Sequence, residues 1–277
     1  MGDGGGTRWS RGVQRGAPGS RTTRLELFYD LVFVFAFLNV TSLTSSTPTP
    51  VNLFRCLLVL ALLWWCWTGF AGMATLVRAD RGVLPVVGFT TVAATFLLAL
   101  TMPGAFVDRP GGLNGPLVFA GCYLLVRAAQ LAIVGWLARS DPVERRRWLL
   151  QAALPVVASA LLIAAGVVPS RIDGRPVAIA VQLGFWTLAL AIEFGVGTGV
   201  GGSYWRVVSA GHWAERHALM ILVALGESII ALGIGPKFIS ELPLTGPVVV
   251  AAVLGITVVA ALLVGVLRHR YLSLSVS

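Results

Sequence analysis

The chain has 277 residues, of which 56% are hydrophobic and only 12% charged, with a mean hydropathy of +0.83 and a formal net charge of +9 at pH 7. Soluble domains carry roughly 25% charged residues, so this composition excludes an ordinary water-soluble fold. The positive charge lies in short arginine clusters between apolar runs, without a basic groove interleaved with aromatic residues, which argues against a nucleic-acid partner.

The chain begins with 24 residues that are rich in Gly, Ser and Arg and nearly free of apolar side chains. Such a segment predicts a disordered basic N-terminal tail. The apolar run that follows carries Asp30 and is not followed by an Ala-x-Ala cleavage site, so we interpret it as an uncleaved first span and not as a signal peptide. The expected domains are the tail at 1–24, a transmembrane helical domain at 25–270 and a short C-terminal tail at 271–277.

Apolar stretches long enough to cross a bilayer recur along the whole domain. A membrane-spanning helix needs about 20 mostly apolar residues. Turn-forming Pro, Gly and charged residues separate the stretches, as at 108–112 and 171–176. The sequence therefore predicts an all-α polytopic helix bundle of about eight spans, at about 26–45, 53–77, 83–103, 115–138, 148–168, 177–198, 217–236 and 246–267.

Lysine and arginine are distributed unevenly between alternate connecting segments. One set of segments holds fifteen of them and the other set holds five, namely Arg55, Arg109, Arg171, Arg175 and Lys237. Cytoplasmic loops of membrane proteins carry the excess of positive charge. We therefore expect both termini to be cytoplasmic and the protein to lie in the bacterial cytoplasmic (inner) membrane, with the lipid bilayer as its surroundings.

Five ionisable residues stand out within the predicted spans, where an ionisable group costs about 2.5 to 3.5 kcal/mol on insertion scales unless it has a partner or a wet cavity. At about 1.5 Å per helical residue, Asp30 and Glu193 would lie roughly 6 and 8 Å from the cytoplasmic end, and Arg127 and Glu227 about 15 Å in. A polar cavity open to the cytoplasm would explain this distribution. The five residues are Glu26, Asp30, Arg127, Glu193 and Glu227.

Two carboxylates share one face of the first span, because Glu26 and Asp30 are four residues apart. Their repulsion would be relieved by Arg24, by Arg127, by a cation or by protonation of one acid. The alternative is helix capping, in which an acid in the first turn complements the positive end of the helix dipole.

A second acidic and basic cluster precedes and enters the seventh span. His212 and Glu215 are three residues apart and share a helix face, a spacing that suits a metal or a proton relay, whereas an interfacial cap paired with Arg216 is the alternative. Glu227 lies deep in the apolar run, and its expected partner is Arg127 at matching depth on the fourth span. That pair would be either a structural salt bridge or a functional relay.

Several of these segments together resemble the bacterial low temperature requirement A family over roughly residues 21–235. The resemblance implies a multi-pass membrane protein and marks Glu26, Asp30, Arg127, His212, Glu215, Arg216 and Glu227 as motif positions. Family members usually continue with further spans, so we expect a short or C-terminally truncated member. The matching motifs are Arg24-Leu-Glu-Leu-Phe-Tyr-Asp-Leu-Val-Phe, Trp64-Trp65-Cys66-Trp67, Tyr123-Leu-Leu-Val-Arg127, His212-x-x-Glu215-Arg216 and Leu225-Gly226-Glu227-Ser228.

Three functions fit these observations. The first is movement of protons or of a small cation or solute through the polar cavity. Asp30, Glu193 and Glu227 would carry the ion, with Arg127 as counter-charge. This function needs no cofactor, and we favour it over an enzyme.

The second is an intramembrane enzyme acting on a prenyl or lipid diphosphate. Glu26, Asp30 and Glu215 would hold Mg²⁺, and Arg24 and Arg216 would contact phosphate oxygens. The third is a non-catalytic protein that stabilises the envelope or a partner during growth in the cold. An oligomer is compatible with all three.

Overall fold

The computed structural model describes residues 24–46, 48–76, 84–106, 111–196 and 210–234, together with single helical stretches between 246 and 261. The described residues form helices joined by short turns and contain no strand, which confirms the all-α prediction. The predicted N-terminal tail lies outside the described residues except for Arg24, the first residue of the first helix.

Between residues 24 and 234, the described part of the chain forms seven α-helices and three short helical turns. The turns are 3-10 helices at Met102–Gly104 and Pro169–Arg171 and a π-helix at Ile192–Val196. The α-helices are α1 Arg24–Ser46, α2 Pro50–Leu76, α3 Leu84–Thr101, α4 Gly115–Ala138, α5 Pro142–Val167, α6 Arg175–Ala191 and α7 Ala210–Ile234.

The chain divides into two compact units, Met1–Trp213 and Ala214–Ser277. In the first unit, α4 lies centrally and packs against α2, α3 and α5, while α1 packs against α2 and α3, and α6 against α2 and α5. Helices that are distant in sequence are therefore neighbours in this bundle, which allows side chains of α2, α4 and α6 to meet in its interior.

Short polar caps fix where the central helices begin. The Asn114 side chain accepts a hydrogen bond from the Leu117 amide before α4, and the Asp141 side chain accepts from the Val143 amide before α5. A proline stands in the first turn of both helices, where its missing N–H is not needed. These caps satisfy backbone donors that the helix itself leaves unpaired.

Consecutive helices of the first unit run in opposite directions, so that α2, α4 and α6 begin at one end of the bundle. We call this the Arg55 end, because Arg55 of α2 donates a hydrogen bond there to Gln182 of α6 at 2.9 Å. At the opposite end, the indole of Trp148 near the start of α5 donates to the carbonyl of Leu131 on α4 at 2.8 Å. We call that the Trp148 end.

Five of the described helices are long and apolar enough to cross a membrane: Pro50–Met73, Val86–Gly104, Gly115–Trp136, Pro142–Arg171 and Arg175–Gly195. They correspond to the second to sixth predicted spans. A shorter apolar helix, Leu27–Thr41, falls in the first predicted span, and α7 covers the seventh. Half of the eighth, 246–267, lies outside the described residues.

The backbones of the α3–α4 connection approach closely at Gly115, the first residue of α4. A Cβ atom there would lie 3.0 Å from the carbonyl carbon of Gly104 and closer still to its oxygen. Because this neighbour is backbone, it cannot turn away as a side chain would. We expect Gly115→Ala to lower the free energy of unfolding by about 1 to 3 kcal/mol, the usual cost of overpacking.

Gly184 in α6 provides the matched control, because a Cβ atom there meets nothing within 4 Å. Gly184→Ala should instead stabilise the protein, by up to about 1 kcal/mol from helix propensity. Thermal unfolding of both purified variants in the same detergent measures the difference, and equal melting temperatures would contradict the close approach.

Candidate functional site

A buried ion pair joins α4 to the end of α6 in the apolar interior of the first unit. Arg127 Nη2 lies 3.2 Å from Glu193 Oε2. Glu193 is 0% exposed and Arg127 7% exposed, so both charges have been removed from solvent. Such a pair is retained only where hydrogen bonds and opposite charge compensate the loss of hydration.

Two aromatic residues complete the surroundings of the Glu193 carboxylate. The hydroxyl of Tyr123 donates to Oε1 at 2.5 Å, and the indole nitrogen of Trp65 donates to Oε2 at 2.6 Å. Arg127 also lies over the Trp65 ring, with its guanidinium carbon 5.7 Å from the ring centroid. The carboxylate therefore accepts hydrogen bonds from Trp65 of α2 and from Tyr123 and the charged Arg127 of α4.

Arg127 is held in turn by Gln130, which stands three residues later on the same face of α4. Arg127 Nη1 donates to Gln130 Oε1 at 2.8 Å, and the Gln130 amide donates to the carbonyl of Cys66 on α2 at 2.7 Å. Gly69 makes room for this contact, because a Cβ atom there would lie 2.5 Å from Gln130 Oε1. We use the name Glu193 network for the hydrogen-bonded set Trp65, Cys66, Tyr123, Arg127, Gln130 and Glu193.

The π-helical turn Ile192–Val196 positions Glu193 at the end of α6. The amide of Ile192 bonds to the carbonyls of both Leu188 and Ala189, where the α-helix gives way to the wider turn. A π-turn inserts a residue into the helical register and so changes the direction of the side chains that follow. Short π-helices are frequent at functional sites of proteins.

Asp30 lies apart from this network, on the other side of α2. Trp67 donates its indole N–H to Asp30 Oδ1 at 2.8 Å. Two residues along a helix differ by about 200° in direction, so Trp65 and Trp67 leave α2 on nearly opposite faces. Next to Asp30, the Tyr29 ring stacks on Phe70 of α2 with a centroid distance of 3.7 Å. Asp30 is thus anchored between α1 and α2.

Of the eight residues predicted from the sequence, the structure brings Arg127 and Glu193 together. The prediction that Arg127 pairs with Glu227 is replaced by its pairing with Glu193. The depths expected for Arg127 and Glu193 from the sequence differ by about 7 Å. The long arginine side chain spans that difference, which a comparison of Cα positions does not include.

The other predicted residues have different outcomes. Arg216 and Glu227 are buried in α7 of the second unit, and Glu227 Oε1 has no hydrogen-bond partner among the described residues. The side chains of Glu26, His212 and Glu215 lie outside the described residues, so the predicted face-sharing pairs stay predictions.

An apolar groove of about 610 Å³ lies between α1 and α3 of the first unit. Aromatic and aliphatic side chains such as Phe28, Phe35, Phe89 and Phe96 line it. Within the described ranges, no three His, Cys, Asp or Glu side chains are grouped so that they could hold a metal ion. The polar chemistry of the described first unit is thus concentrated around Glu193, Asp30 and Arg55, away from this groove.

Residues 21–264 match the family described as bacterial low temperature requirement A protein (LtrA). The chain belongs to the LtrA family. It is also 26% identical over 220 residues to an uncharacterized protein of Rhizobium meliloti (strain 1021), an alignment that includes 75% of this chain and 49% of that protein. The chain therefore spans about half the length of this curated relative. No solved structure matches it significantly.

Family membership agrees with the resemblance seen in the sequence and extends it through residue 264. The structure gives two of the LtrA-like motifs a physical role. In Trp64-Trp65-Cys66-Trp67, Trp65 donates a hydrogen bond to Glu193 and Trp67 donates one to Asp30. In Tyr123-Leu-Leu-Val-Arg127, the spacing of four places both polar side chains on the face of α4 that meets Glu193.

Proposed function

We propose that this LtrA protein is a multi-pass protein of the bacterial cytoplasmic membrane, with eight spans and both termini cytoplasmic, that moves protons or a small cation. Glu193 is the proposed carrier of the proton, and Arg127 is its counter-charge. The observation that carries the proposal is a carboxylate with 0% exposure, hydrogen-bonded by Arg127, Tyr123 and Trp65 inside apolar helices. Ionisable groups at such positions commonly mark ion pathways.

Protonation of Glu193 would change every contact of the network. A neutral carboxyl group attracts Arg127 less strongly, and it presents an O–H that competes with the Tyr123 hydroxyl at the same oxygen. The network then rearranges, and the π-turn offers a backbone segment that can adopt a different register. Binding and release of one proton would thereby alternate between two arrangements of α2, α4 and α6.

The experiment is proton flux in liposomes that contain the purified full chain. A potassium gradient with valinomycin imposes the membrane potential, and an enclosed pH dye records proton entry. We expect flux above that of protein-free liposomes, and we expect Glu193→Gln to reduce it to the protein-free level because an amide cannot carry the proton. A sodium gradient without valinomycin tests movement of a cation in the same preparation.

Glu144→Gln is the matched control, because Glu144 forms a solvent-accessible ion pair with Arg147 at 3.1 Å near the start of α5. It should retain the flux of the unmodified protein. Glu193→Asp, which keeps a titratable group, should retain part of it. The proposal is wrong if the unmodified protein gives no flux of protons or cations, or if a folded Glu193→Gln protein transports as before.

A second candidate function is favoured by the hydrogen bonds that Glu193 and Gln130 make in the same network. Both oxygens of Glu193 accept hydrogen bonds, and Gln130 ties the network to the backbone of α2, as expected of a device that fixes helix packing. The protein would then be a non-catalytic stabiliser of the membrane or of a partner in the cold. In that case liposomes show no flux. Glu193→Gln then lowers thermal stability, and growth in the cold decreases only as far as the stability of the protein does.

A further inference from the structure

A second cation, the half-buried Arg55, lies at the Arg55 end of the bundle and is held by uncharged partners. Its Nη2 donates to Gln182 Oε1 at 2.9 Å, and its guanidinium carbon lies 5.2 Å from the centroid of the Phe106 ring. Gln182 is itself buried, and its amide nitrogen donates to the carbonyls of Phe106 at 2.9 Å and Ala165 at 3.3 Å. The guanidinium is therefore positioned by a built hydrogen-bonded support.

No described acid balances the charge of Arg55. Among the residues that the structure describes, no carboxylate lies within ion-pair distance of Arg55. The Nε atom of Arg55 is enclosed and has no hydrogen-bond partner in the same described set. Arg175 begins α6 two turns before Gln182 and on the same face of the helix, so a second positive charge lies at this end of the bundle. Two positive charges at one end of the bundle, with no described acid between them, are the arrangement expected of a site for an anion.

The ends of the helices add to the positive potential at this place. Arg55 stands five residues after the start of α2, or about 7.5 Å along it, and Gln182 seven residues after the start of α6, or about 10.5 Å. The amino-terminal ends of both helices, which carry partial positive charge, therefore face the same side of the membrane as the two arginines. The turn before α6 contributes Arg171 and Asp173, both exposed, whose charges offset each other.

We propose that Arg55 and Arg175 bind a phosphate group at the Arg55 end of the bundle, with Gln182 as the positioning residue. The guanidinium of Arg55 and the exposed side chain of Arg175 donate to the phosphate oxygens. An anionic phospholipid headgroup and a soluble phosphate ester share this chemistry. The apolar surface beside the site suits the acyl chains of a lipid, since Val51, Leu53, Phe54 and Leu57 are exposed on α2.

The test measures binding to the purified full chain in detergent by native mass spectrometry and by thermal shift. One arm titrates dioleoyl-phosphatidylglycerol, a second titrates dioleoylglycerol, which has the same chains and no phosphate, and a third titrates glycerol 3-phosphate. We expect saturable binding of phosphatidylglycerol and none of dioleoylglycerol. If glycerol 3-phosphate competes at a comparable concentration, the site binds phosphate and its ligand is a soluble phosphate ester.

Arg55→Gln and Arg175→Gln should each weaken phosphatidylglycerol binding at least about tenfold, as removal of a charge-assisted donor does. Arg175 is exposed, so its variant keeps the inference testable if Arg55→Gln fails to fold. Arg147→Gln, at the Trp148 end, should bind like the unmodified protein. Unchanged binding in a folded Arg55→Gln or Arg175→Gln protein, or equal binding of dioleoylglycerol, would overturn the inference, which is independent of ion movement by Glu193.

Discussion

Replacing Arg127 with Met is expected to destabilise this protein by about 3 to 5 kcal/mol, the usual cost of leaving one member of a buried ion pair uncompensated. Glu193 would keep its bonds from Tyr123 and Trp65 but lose its only described counter-charge. Gln130 Oε1 would lose its donor at the same time. Thermal and denaturant unfolding in mixed micelles, followed by far-UV circular dichroism, gives the free-energy change.

The double variant Arg127→Met with Glu193→Gln should be more stable than Arg127→Met alone, because no isolated charge then remains in the interior. A double-mutant cycle isolates this coupling from the cost of each single change. The surface pair Arg147–Glu144 serves as the comparison, since Arg147→Gln should change stability by less than about 1 kcal/mol. If the stability losses caused by Arg127→Met and by Glu193→Gln simply add in the double variant, the ion pair does not hold the helices together.

Adding one methyl group at Gly69 is expected to disrupt the same network from the side of α2. The Cβ atom of Gly69→Ala would lie 2.5 Å from Gln130 Oε1 and 2.9 Å from Arg127 Nη1, distances that require at least one of these side chains to move. We expect a loss of about 1 to 3 kcal/mol from overpacking, despite the better helix propensity of alanine. If Glu193 carries protons, the flux should fall as well, because Arg127 is displaced from it.

Gly121 on α4 supplies the control for this substitution, because a Cβ atom there meets nothing within 4 Å. Gly121→Ala should therefore be neutral or stabilising in the same unfolding assay. A Gly69→Ala protein as stable as Gly121→Ala would show that the side chains around Arg127 have room that the structure does not indicate.

The helical architecture of the described residues could be predicted from the sequence, because the cost of unsatisfied backbone groups in lipid leaves few alternatives to apolar helices of sufficient length. Five predicted spans correspond to long apolar helices with ends displaced by a few residues. The first predicted span, 26–45, lies within two residues of α1 at Arg24–Ser46, although the apolar part of this helix covers only Leu27–Thr41. Polar residues in its last turns remain helical because their side chains bond back to the backbone, as Thr44 does to Val40.

The composition of the Glu193 network was only partly predictable. Arg127 and Glu193 stand out because an ion in an apolar run is costly, whereas tryptophan and glutamine carry no such penalty and give no signal of their own. A helical-face argument could have added Tyr123 and Gln130, which are four residues before and three residues after Arg127. Pairing Arg127 with Glu193 required the arrangement of α4 and α6 around α2 and the π-turn, which sequence spacing does not reveal.

Helix α2 contacts three distant polar groups through three of its side chains. Arg55 reaches Gln182, Trp65 reaches Glu193, and Trp67 reaches Asp30 on the opposite flank. An axial rotation of this one rod would lengthen the two indole bonds simultaneously, whichever way it turned. Such a rotation would therefore affect both acids at once, and a ligand bound at Arg55, about 15 Å along α2 from Trp65, would oppose it.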